Sequence, residues 1–132
     1  MLAKILIVDD QILFKEQFKQ HLELAKICPD QLELVYQADG QAGYDYVKSH
    51  SDIRFMVVDV HMPLMTGLEM LAKIKADFPE QLKNCEVFVM TTEADKELIA
   101  NAKILGVKAW LIKPINFPSF VKHLEVRLTA AA

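Results

Sequence analysis

Short, almost continuously apolar runs alternate along this chain with longer stretches of helical period. The runs "KILIVD" (Lys4–Asp9), "FMVVD" (Phe55–Asp59), "EVFVMT" (Glu86–Thr91) and "KAWLIK" (Lys108–Lys113) are short and rich in β-branched residues. That character predicts strands covered on both faces. "LELVYQA" (Leu32–Ala38) alternates more and reads as a strand nearer an edge. Between the runs, Phe14, Phe18, Leu22 and Ala25 share one helical face, and "CPD" (Cys28–Asp30) is expected to end that helix. A second helix is predicted over Gln41–Ser49 after the Asp39-Gly40 turn. A third, marked by Leu68, Leu71 and Ile74, enters at Thr66-Gly67 and stops near Pro79. Leu98, Ala102 and Leu105 mark a fourth, ended by Gly106. Phe120, Leu124 and Leu128 mark a fifth, with Asn116 at its cap.

Five strands alternating with five helices predict an α/β fold, a parallel sheet with helices on both faces. Residues 1–129 read as one domain and residues 130–132 as a tail or cloning scar. The polar residues fall at the strand ends: Asp9-Asp10 after the first, Asp59 after the third, Thr91-Thr92 after the fourth and Lys113 after the fifth. In a parallel sheet all carboxyl ends lie along one edge, where such folds bind ligands. Residues spread from 9 to 113 are therefore expected to meet in one crevice.

Composition narrows the function classes. The chain has 132 residues, 52% hydrophobic and 25% charged, with a net charge of −3. That balance argues against a nucleic-acid grip over the whole surface. No apolar run reaches the roughly 20 residues of a membrane span. Two cysteines, Cys28 and Cys85, make neither a disulfide framework nor a zinc site, and are read as reduced thiols of a cytoplasmic protein. "ADGQAG" (Ala38–Gly43) lacks the lysine and hydroxyl of a phosphate-binding loop.

The chemistry follows from the crevice. Two unit charges about 4 Å apart interact by roughly 4 kcal/mol at an effective dielectric near 20. One lysine cannot offset three carboxylates, whereas a hard divalent cation can. Oxygen ligands with room for water favour Mg2+. Mg2+, an ammonium and a hydroxyl together suit a phosphoryl group, and one carboxylate can serve as the nucleophile. Each residue alone has a plainer reading. An isolated aspartate pair caps a helix, and a lysine at a strand end reaches for water.

Four segments, "ILIVDD" (5–10), "VVDVHMPLMTGLEML" (57–71), "VFVMTTEAD" (87–95) and "LIKP" (111–114), resemble response-regulator receiver domains, in order and with that family's spacing. The chain is similar to the single-domain chemotaxis type. The resemblance implies a flavodoxin-like doubly wound sheet of order 2-1-3-4-5 with five helices. It also implies roles. Asp59 is the phospho-acceptor. Asp9, Asp10, Asp59 and the backbone carbonyl of His61 are the Mg2+ ligands. Lys113 pairs with the phosphoryl group, and the Lys113-Pro114 bond is cis. Thr91 is the switch hydroxyl and Trp110 the aromatic switch, which turns inward on activation. His61, Thr92 and Glu93 are tuning positions, with the His61 imidazole facing solvent and Thr92 or Glu93 capping the fourth helix.

The implied partners are a histidine kinase or histidine phosphotransfer protein, and an output partner of unknown identity. That partner would read the face of helix four, strand five and helix five. No nucleic acid or membrane contact is implied for the domain, and it is not an enzyme beyond its own phosphotransfer and dephosphorylation. Two features depart from the family. Thr92 stands where a small residue is usual and is expected to narrow the path to Asp59. Trp110 is an indole where a smaller ring is common. Three other readings compete: a phosphorylation-independent interaction module, a Mg2+-dependent phosphohydrolase and a flavin mononucleotide binder. The second lacks an acid–base aspartate two residues after Asp59, where His61 stands. The third lacks a hydroxyl- and glycine-rich loop after the first strand.

Overall fold

The computed structural model describes residues 2–93 and 96–130. Its elements run β1 (Ala3–Val8), α1 (Ile12–Leu24), β2 (Leu32–Gln37), α2 (Gly40–Ser49), β3 (Ile53–Asp59) and α3 (Gly67–Asp77). Then follow α4 (Glu80–Lys83), β4 (Glu86–Thr91), α5 (Lys96–Ile104), β5 (Val107–Ile112) and α6 (Phe117–Ala130). The strands form one sheet of order β2-β1-β3-β4-β5, and every pairing is parallel. The sequence-predicted fold class and strand order are those observed. The expected tail at 130–132 falls, beyond the backbone of Ala130, outside the described residues.

Side chains of a strand alternate between faces, and that period builds two cores. Ile5, Ile7, Phe55, Val57 and Phe88 point to one side, where Phe14, Phe18 and Leu22 of α1 and Phe120, Val121 and Leu124 of α6 cover them. Leu6, Val8, Met56, Val58 and Val87 point to the other side, against Val47 of α2 and Met70, Leu71 and Ile74 of α3. The rings of Phe14, Phe18, Phe117 and Phe120 meet edge-on or tilted at centroid distances of 5.4–5.8 Å.

Local signals set the helix starts. Thr66 and Glu69 form a reciprocal capping box at α3. Asp39 accepts the Ala42 N–H at 2.8 Å, and Asn116 accepts the Ser119 N–H at 3.0 Å. Gly106, at φ +83°, follows α5, a backbone state that costs glycine little.

Three expectations need correction. Helix α1 stops at Leu24, before "CPD", because Ala25 caps it and Lys26 turns to φ 59°. Strand β5 is only partly covered, with Ala109 and Leu111 packed on one core and Val107 and Trp110 on the other. It pairs only with β4, and none of its residues is fully buried. A sixth helix, the single turn α4, lies between α3 and β4, so the anticipated fourth and fifth helices are α5 and α6. Residues 94 and 95, next to α5 in the chain, are outside the described residues, and so is the expected capping of that helix by Thr92 or Glu93. Among the described residues no helix is long and apolar enough to cross a membrane.

Candidate functional site

The carboxyl ends of β1, β3, β4 and β5 bring the expected residues together. Asp9 follows β1, Asp59 ends β3, Thr91 ends β4 and Lys113 follows β5. Carboxylate oxygens of Asp9, Asp10 and Asp59 all lie within 4.8 Å of one another. Asp9 is fully buried and Asp59 is 4% exposed, while Asp10 is exposed. The Lys113 ammonium reaches Asp59 Oδ2 at 3.1 Å and Asp9 Oδ2 at 3.4 Å.

The carboxylates of Asp9 and Asp59 are aimed by backbone. Asp9 Oδ1 accepts the Gln11 N–H at 2.8 Å, across the turn that leads into α1. The helix itself is capped by Gln11 without a side-chain hydrogen bond, so the plain capping reading of the aspartate pair does not hold, while Asp9 does join the cluster. Asp59 Oδ1 accepts the His61 N–H at 3.0 Å. That leaves Asp59 Oδ2 turned to Lys113.

The electrostatics are those of an underneutralised pocket. Two full charges 4.8 Å apart repel by about 3.5 kcal/mol at an effective dielectric near 20. Burial pushes the Asp9 carboxyl above its ordinary pKa, against the opposing pull of the Gln11 N–H and Lys113. Burial also works against the Lys113 charge. The hydrogen bond and charge of Asp59, with those of Asp9, outweigh it and hold the ammonium above its usual pKa. Three carboxylates and one ammonium leave two negative charges, which a divalent cation balances. The donors are all hard oxygens, a set suited to Mg2+ and poorly suited to softer metals.

The remaining expected residues fall around this cluster. Thr91 is fully buried, and its hydroxyl is engaged by Glu93 and His61. It donates to the Glu93 carbonyl at 2.7 Å and accepts the Glu93 N–H at 3.1 Å. His61 is exposed, yet its imidazole is not free in solvent. Nε2 lies 3.2 Å from the Thr91 hydroxyl oxygen. Thr92 and Glu93 are exposed. Trp110 already packs against the α2–α3 side of the sheet, and its Nε1 is buried with no hydrogen-bond partner among the described residues. The Lys113-Pro114 peptide is cis.

Two neighbours escaped the sequence. The Tyr36 hydroxyl on β2 donates to the Asp9 carbonyl at 2.7 Å, and the Phe14 ring lies 5.5 Å from the Lys113 ammonium. Phe14 was legible only as a core position of α1. Tyr36 carried no signal, because β2 meets β1 only through the sheet.

Comparisons with known proteins bear on the family and the fold. A family model described as the response regulator receiver domain matches residues 5–125. The chemotaxis protein CheY-3 of Vibrio cholerae is 33% identical over 122 residues, spanning 92% of this chain and 88% of that protein. CheY1 of Helicobacter pylori is 28% identical over 125 residues, spanning 95% and 96% of the two chains. The structure of Vibrio cholerae CheY4 superposes with a TM-score of 0.79 at 29% identity, covering 95% of this chain and 98% of that one. A cyclic di-GMP phosphodiesterase of Thermotoga maritima is 31% identical over 96% of this chain, which spans 30% of that longer protein.

Proposed function

This chain belongs to the response regulator receiver domain family, and on that premise we propose that it accepts a phosphoryl group on Asp59 and passes the signal through a change of shape. The observation that carries the reading is the pocket itself. Lys113 bridges Asp59 and Asp9 at 3.1 and 3.4 Å inside a cluster of three carboxylates, with a buried switch hydroxyl beside it.

The donor is a phosphohistidine on a kinase or phosphotransfer protein. A lone pair of an Asp59 oxygen attacks phosphorus, the P–N bond breaks, and its electron pair returns to the imidazole. The His61 N–H and Lys113 orient the Asp59 carboxylate for that attack. Mg2+, held by Asp9, Asp10, Asp59 and the His61 carbonyl, would supply the positive charge that draws phosphoryl oxygens into an acidic pocket. Lys113 then pairs with the new phosphoryl oxygens, and Thr91 leaves Glu93 to donate to one of them. The phosphate adds about −1.5 to −2 charges. It biases the domain only through contacts that differ between the two states.

The output face of α5, β5 and α6 is supported by its exposed apolar residues Ile104, Ile112 and Val126. It is also supported by an apolar cleft of about 360 Å3 beside β5, lined by Phe88, Leu111, Pro114, Phe120 and His123. The reader is a separate protein or an attached output domain, as the longer Thermotoga relative illustrates. On this reading residues 1–129 are the receiver unit, the setting is the cytoplasm, and the receiver unit itself turns over no separate substrate.

Intact-mass analysis after incubation with Mg2+ and acetyl phosphate tests the reading. A single phosphoryl adduct is expected, absent from Asp59→Asn and absent without Mg2+. A folded protein that takes neither phosphate nor beryllofluoride would instead support a phosphorylation-independent interaction module.

A further inference from the structure

The Thr91 hydroxyl makes three contacts, and they determine one another. Its closest partner, the Glu93 carbonyl at 2.7 Å, can only accept, so it receives the single hydroxyl proton. The Glu93 N–H at 3.1 Å can only donate, so it occupies one lone pair. The remaining partner, His61 Nε2 at 3.2 Å, must then also donate. The imidazole proton therefore sits on Nε2, and the hydroxyl, fully buried, has no capacity left.

His61 has a second tie to the site. Its backbone N–H donates to Asp59 Oδ1 at 3.0 Å. One residue thus holds the acceptor carboxylate through its backbone and the switch hydroxyl through its ring. For Thr91 to donate to a group on Asp59, its proton must leave the Glu93 carbonyl and its oxygen must leave the imidazole.

We propose that His61 is a positioning residue that latches Thr91 in its resting orientation and so sets how readily the site enters its phosphoryl-bound state. This rests on the reading of Asp59 as phospho-acceptor. The latch stabilises the resting form and not the phosphoryl-bound one, so its removal tightens binding of any phosphoryl mimic. A hydrogen bond of this kind contributes about 0.5–1.5 kcal/mol, which is about twofold to tenfold in an equilibrium constant.

The test is a beryllofluoride titration with Mg2+, read by fluorine NMR, on wild type, His61→Ala, His61→Gln and Thr91→Ala. The double variant completes the cycle. His61→Ala is expected to tighten binding about twofold to tenfold. His61→Gln, whose amide can also donate to Thr91, is expected to stay near wild type. In the Thr91→Ala background the effect of His61→Ala should vanish, an outcome that a general loosening of the loop would not give. Unchanged or weaker binding by His61→Ala, or an equal effect in both backgrounds, overturns the latch.

A metal-free measurement stands beside it. Nitrogen NMR of the imidazole should find neutral His61 protonated on Nε2, and a proton on Nδ1 instead overturns the assignment. Failure of the wild type to bind beryllofluoride strikes at the acceptor reading itself, and the ring-nitrogen spectrum then decides the latch alone.

Discussion

Gly67 is the first residue of α3 and packs against the backbone of the strand that carries Asp59. A β-carbon there would lie 2.3 Å from the Asp59 carbonyl oxygen and 2.7 Å from Val58 Cγ1. Ordinary contact begins near 3.4 Å, so α3 and β3 must part by about 1 Å in Gly67→Ala. The obstruction is backbone of a buried, paired strand, which cannot swing aside. Overpacking costs about 1–3 kcal/mol, and the upper part of that range applies here. Alanine's better helix propensity offsets at most about 1 kcal/mol. The net loss is about 2 kcal/mol, and at about 4 °C per kcal/mol the melting temperature falls by about 8 °C. Asp59 moves with the strand, so phosphoryl uptake slows as well. Gly106→Ala is the control. No atom lies within 4 Å of its β-carbon, but its φ of +83° penalises a side chain by about 1 kcal/mol, far from the site. Thermal unfolding and adduct formation, measured on both variants, separate clash from backbone strain. A Gly67→Ala protein that melts within about 2 °C of wild type and takes phosphate at the same rate would refute the packing argument.

Other expectations follow from side chains away from the pocket. The hydrogen bond from Lys4 holds the Asp52 carboxyl below its ordinary pKa, and the same contact raises Lys4. A carboxyl lowered on folding contributes stability above its unfolded pKa and loses it as pH falls through the folded value. Asp52→Asn should therefore destabilise at neutral pH in urea titrations, and the gap to wild type should close in acid; a gap that persists there would contradict the pairing. Cys28 and Cys85 are buried, and burial pushes both thiols up to about 12. Ellman's reagent should find neither at neutral pH until denaturant is added, and rapid labelling of the folded protein would show the core to be looser than described. Trp110 is the sole tryptophan and its Nε1 is inaccessible. Its emission should be blue-shifted from free tryptophan and weakly quenched by acrylamide, whereas a red-shifted, freely quenched band would place the ring outside.

What the chain alone determined follows from short-range rules. Strand and helix periods identified the α/β class, because burial repeats every two residues in one and every 3.6 in the other. The convergence of Asp9, Asp59, Thr91 and Lys113 was legible for a geometric reason: parallel strands place every carboxyl end on one edge. Capping at Thr66 and Asn116 could be read because a cap acts within three residues. Tertiary structure decided the rest. Strand β5 has the composition of a covered strand, but its exposure depends on having one neighbour rather than two. The Tyr36 contact to Asp9 crosses 27 residues and the His61 contact to Thr91 crosses 30. Each arises where two loops or strands meet in space, and nothing in the local pattern of either partner requires the other. The direction of the Thr91 hydroxyl was likewise beyond the sequence, because competing partners at 2.7–3.2 Å, and not the residue type, set where one proton goes.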